Sequence, residues 1–103
     1  MKLIERLSDK ISEEIYDAKE YAGMALEVRD NYPDLAQTLY ELSKEEMDHM
    51  ARLHTAVAKI IEKYRETKGE PPATMLAVYD YLHKKQITKA AEVKNLQSMF
   101  QDK

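Results

Sequence analysis

There is no cysteine among the 103 residues, so the chain forms no disulfide and no thiolate metal site. That fits a cytoplasmic protein. With 2 glycines and 3 prolines, it lacks the turn residues that an all-β fold consumes. No stretch approaches the ~18 apolar residues of a membrane span. The start, Met1 to Lys10, carries no apolar core of the signal-peptide kind, so neither export nor membrane insertion is expected. Excess charge of one sign is also missing. The net charge is −3, with lysine and arginine interspersed among the acids, and no nucleic-acid binding by bulk charge is expected. What is present is 44% hydrophobic and 34% charged residues. This is the composition of a single, folded, very water-soluble helical domain over 1–103.

Residues 3–30 read as one long helix. Ile4, Ile11, Ala18 and Ala25 form one seven-spaced row, and Leu7, Glu14, Tyr21 and Val28 form the next. Together they predict a continuous apolar stripe. Arg6, Glu13, Glu20 and Glu27 form a wet row, so Glu14 alone among the acids interrupts the stripe. Glu13 is the fallback if the helix is turned by one residue. Asp30-Asn31-Tyr32-Pro33-Asp34 is the first turn, with Pro33 suited to the first helical position. A second helix runs to Lys68, where Gly69 and then Pro71-Pro72 end it. So short a connection implies antiparallel neighbours. Residues 1–69 are therefore expected to form a helical hairpin, and 70–103 a C-terminal segment of one or two short helices, with two short helices and one continuous helix both open. Thr88 is a candidate cap for a restart there.

The second helix contains Glu46-Met47-Asp48-His49. A Glu and a His three apart lie about 300° round the axis and point the same way. The pair of carboxylate and imidazole suits iron, manganese or zinc. In a chain this rich in glutamate the motif alone is weak, and its position adds the weight. Glu46 falls in the row Leu39, Leu53, Ile60, and His49 in the row Leu35, Leu42, Ala56. Both rows read as core, where an unpaired carboxylate is costly. If the hairpin pivots between Asn31 and Tyr32, Glu14 reflects onto position 49. Three candidate ligands from two helices then converge. Met50, Val57 and Tyr64 on one flank and Met47 and Ile61 on the other make this helix apolar over a wide sector, so it needs more than one neighbour.

One glutamate helix beside one Glu-x-x-His helix is half of the di-iron carboxylate bundle arrangement. Glu14, Tyr21 and Glu45-Glu46-Met47-Asp48-His49, followed by Ala51-Arg52-Leu53, resemble the ferritin-like superfamily over residues 3–68. The second helix is similar to that of ferritins and rubrerythrins. The resemblance implies that Glu46 bridges two irons, that His49 and Glu14 each ligate one, and that Tyr21 hydrogen-bonds from behind the ligands. Full-length members carry a second helical pair with its own ligands, and this chain has no second Glu-x-x-His. It resembles the half-length members, such as encapsulated ferritins, in which two chains complete a four-helix site. The fold implied is all-α. The cofactor implied is two Fe per dimer, with Mn or Zn as alternatives, and the assembly is a homodimer or a larger homo-oligomer. In such a dimer a charge of about −4 from four glutamates faces +4 from two Fe(II). The tail Leu96 to Lys103 has no obvious encapsulin-targeting peptide.

The remaining candidates have plainer readings. Asp80 and His83 repeat the three-residue spacing ahead of Lys84-Lys85 and read as a solvated helix end rather than an intrachain half-site. His54 reads as packed or hydrogen-bonded, Glu92 as surface, and the methionines and tyrosines as core or interface material. Two functions remain open. One is a di-iron oxidoreductase, a ferroxidase or peroxidase using O2 or peroxide. The other is a helical scaffold whose Glu/His cluster holds a structural metal or none.

Overall fold

The computed structural model describes residues 2–102. It contains three helices, α1 Lys2–Val28, α2 Pro33–Lys68 and α3 Ala73–Gln101, and no strand among the described residues. The helices lie side by side in a rod of 56 × 19 × 18 Å. The length follows from α2, whose 36 residues at about 1.5 Å each span the rod. No helix among the described residues is long and apolar enough to cross a membrane.

Local chemistry sets the helix ends. Pro33 opens α2 directly after Tyr32, where the missing N–H costs nothing. The Tyr32 N–H donates to Val28 O at 2.8 Å, and Ala36 N–H to Tyr32 O at 2.9 Å. α2 stops at Gly69, which has φ 83° and ψ −164°, a region open essentially to glycine alone. Arg65 and Lys68 stand in that last turn, where cations meet the negative end of the helix dipole. The Pro72 carbonyl accepts from Met75 and Leu76 to start α3. At the far end of α3, Arg29 reaches across and donates from Nη1 to Met99 O and Phe100 O, at 3.2 and 3.4 Å.

The C-terminal segment is a single 29-residue helix, the continuous alternative rather than two short helices. No Gly or Pro interrupts 73–101, and α1 offers a surface along the full length. Thr88 caps nothing. It sits inside α3 with its hydroxyl donating to Lys84 O at 3.2 Å.

α1 and α2 are antiparallel, and α3 returns parallel to α1. The larger core cluster joins Ile4, Ile11, Ile15 and Ala18 of α1 to Val57 and Ile61 of α2 and Val93 of α3. A second joins Ala25, Leu39 and Tyr40, with Phe100 stacked on Tyr40 at 4.7 Å. Two polar ties set the axial alignment. The Ser43 hydroxyl donates to Ala18 O at 2.7 Å and accepts from Gln97 Nε2 at 2.9 Å, linking all three helices. Gln86 Nε2 donates to Ser8 O, Ser8 Oγ and Ser12 Oγ. Lys19 and Glu92 pair across α1 and α3 at 3.2 Å. Glu92 is thus at the surface as expected, but engaged, and the Lys19 ammonium lowers its pKa.

The buried sector of α1 is turned from the expected one. Ile4, Ile11, Ala18 and Ala25 are buried, but their companions are Ser8, Ile15 and Ala22. Leu7, Glu14, Tyr21 and Val28 lie half-buried on the other flank. On α2 the buried row is Ala36, Ser43 and Val57, while Leu35 and His49 are exposed. The reason is the seat of α3. It packs on the side of Ser8 and Ile15, so the opposite side of the hairpin is left open.

Candidate metal centre

The open side of the hairpin holds Glu14, Glu46 and His49. Among the described residues, these form the one group of three His, Asp or Glu side chains able to hold a metal, with a ligand atom of each within 4.8 Å of the others. Glu46 and His49 share a face of α2 by their spacing, and the antiparallel crossing brings Glu14 of α1 level with them. His49 Nδ1 lies 3.3 Å from Glu14 Oε2 and 3.8 Å from Glu46 Oε1. The side chains of Glu14 and Glu46 are 24% and 19% exposed, and that of His49 is 52% exposed. The carboxylates therefore sit at the base of the site and the imidazole forms its rim.

The electrostatics are those of crowded carboxylates. A hydrogen bond with Glu14, then burial, then the charge of Glu14 push the Glu46 carboxyl up to about 7 from its usual 4.5, and Asp17 adds to the effect. His49 acts in the opposite direction. Near neutrality the Glu46 carboxyl is thus held partly protonated beside Glu14. Two carboxylate oxygens and one imidazole nitrogen are donors suited to iron, manganese or zinc, so the residues present fit such an ion. Three protein donors leave further coordination positions on such an ion open to solvent or another ligand.

The other candidates lie elsewhere. Glu13 is exposed and pairs with Lys10 at 3.2 Å, so the fallback for Glu14 is not needed. Tyr21 is half-buried against the cluster of Ala25, Leu39 and Tyr40, two helical turns from Glu14 along α1. Asp80 is exposed. His83 is not a solvated helix end. It lies between α3 and α2 with Nδ1 3.1 Å from His54 Nε2, and the rings stack at 4.6 Å. This also accounts for His54, which is hydrogen-bonded as expected. Sequence reading had no partner for either histidine. The connection between Lys68 and Ala73 is centred near 70.5, which reflects position 54 onto about 87, one helical turn from His83.

Comparison with protein-family models, curated proteins and solved structures finds no match.

Proposed function

We propose that Glu14, Glu46 and His49 hold a transition-metal ion, iron foremost. In this reading two copies of the chain join their hairpins into a ferritin-like four-helix di-iron centre that oxidises Fe(II) with O2 or peroxide. The observation that carries it is the convergence of three ligand atoms from two helices within 4.8 Å. The open flank supports the dimer. Leu35 is 47% and Met24 44% exposed there, beside the half-buried Leu7, Val28 and Leu42. A second hairpin on that flank would bury them and bring a second Glu, Glu, His set to the first.

Bound iron would supply the electrons and the redox chemistry. The chain's own part is to bind and to shield. Glu46 would give up its proton to an entering cation, and the two carboxylates together would neutralise the ion's charge. His49 adds a nitrogen donor from the rim. The partner hairpin excludes bulk water from a site that one chain leaves open.

Anaerobic iron loading followed by oxygen exposure tests the reading. The expected outcome is about one iron per chain, with binding and oxidation both lost in Glu46→Ala and His49→Ala. Oxidation by the double variant at the wild-type rate would refute it. Tight zinc binding with no iron oxidation would instead make this a structural metal site in a helical scaffold.

A further inference from the structure

The His54/His83 contact lies away from the Glu14/Glu46/His49 cluster. His54 points about 140° round α2 from His49, toward α3 rather than the open flank. Around the two rings Met50, Ala51, Thr55, Gln86, Ile87 and Ala90 line a shallow hollow. None of these is acidic. Met50 and His54 are four apart on α2, which places thioether and imidazole on one face of the helix. His83 faces them from α3, its ring stacked on Tyr79 at 5.9 Å and 9°.

From this placement we infer that His54, His83 and Met50 form a second metal site, selective for a soft monovalent cation, Cu(I). The distance between the facing nitrogens, 3.1 Å, is short of the roughly 3.3 Å that separates two imidazole nitrogens bound at about 2.0–2.1 Å to one tetrahedral ion. The rings stack at 4.6 Å with their planes 23° apart, so metal entry also requires a ring to turn until both in-plane lone pairs converge on the ion. In the metal-free protein one N–H fills the space between the rings. Metal entry requires that hydrogen to pass to the distal nitrogen of its ring, through solvent, so both facing lone pairs become donors and no net proton is released. The donor chemistry then decides the ion. A thioether with two imidazoles and no carboxylate selects Cu(I), whereas the carboxylate-rich cluster on the other flank suits harder divalent ions. The two sites do not depend on each other, and this one needs no second copy of the chain.

The test is anaerobic titration of the purified protein with Cu(I) against a chromogenic copper chelator, together with X-ray absorption at the copper edge. The wild type is expected to take one Cu(I) per chain, with two nitrogen neighbours and one sulfur. His83→Gln and Met50→Leu should each weaken binding at least tenfold, and Met50→Leu should also remove the sulfur signal. His49→Ala should bind Cu(I) as the wild type does. Met50→Leu is a volume-conserving exchange that keeps the helix packed, so it decides the matter even if His83→Gln fails to fold. Undiminished Cu(I) affinity in Met50→Leu overturns the site, as does copper that is lost with His49→Ala.

Discussion

At the scale of single residues, the raised pKa of Glu46 beside Glu14 has a thermodynamic consequence. In the unfolded chain Glu46 loses its proton near its ordinary 4.5; in the folded chain it holds it up to about 7. Between those values the folded state binds more proton than the unfolded state, so stability falls as pH rises through the window and levels off above it. Glu46→Gln keeps a donor for Glu14 and removes the titration. In chelator-treated protein, urea unfolding from pH 5 to pH 8 should show wild-type stability declining relative to Glu46→Gln, with most of the change between pH 5 and pH 7. Parallel curves for the two proteins would mean that the proton resides elsewhere. The residue scale also separates Glu13 from Glu14. They are neighbours in sequence, yet one pairs with Lys10 in solvent and the other faces His49 across the hairpin.

At the scale of elements, the two glycines have opposite roles. Gly23 lies inside α1 with nothing within 4 Å of where a Cβ would stand. An alanine there only limits the unfolded chain and favours the helix, so Gly23→Ala should stabilise by about 0.5–1 kcal/mol. Gly69 also has open space around it, but its φ of 83° with ψ −164° excludes a side chain on backbone grounds. Gly69→Ala should destabilise by about 1–3 kcal/mol. Thermal unfolding of both variants checks the pair, and a loss of stability in Gly23→Ala would show that α1 needs close approach at that point. α3 is the element whose continuity local rules left open. Helix-favouring residues run without a breaker from Ala73 to Gln101, and its ties to α1 at Gln86 and Glu92, and to Arg29 just beyond α1 at Phe100, are distributed along that length.

At the scale of the whole molecule, α3 covers one side of the hairpin and leaves the other bare. The proposed dimer uses the bare side. Light scattering at tens of micromolar, where a complex of micromolar affinity is mostly formed, should give a dimer. Leu42→Lys, which places a charge on that half-buried flank, should give a folded monomer with weakened iron binding and unchanged helicity. A wild-type monomer with and without iron would remove the dimer from the proposal, and a dimeric Leu42→Lys would move the interface to another surface.

Sequence by itself determined the helical class, the hairpin turn at Tyr32-Pro33 and the stop at Gly69, because these rest on local backbone chemistry. It also sufficed to align Glu14 with His49, since two antiparallel helices of equal rise turn a pivot into a table of facing residues. Only the tertiary structure decided which sector of each helix is buried. Periodicity marks an apolar arc but not the neighbour that covers it, and rows four residues apart are nearly equivalent in a helix so broadly apolar. Ser8, Ser43 and Gln86 are buried although their types read as surface, because each finds its hydrogen-bond partner on another helix. The seat of α3 made that choice. By packing beside Ser8 and Ile15 it joined His83 to His54 and left Glu14, Glu46 and His49 on the open flank.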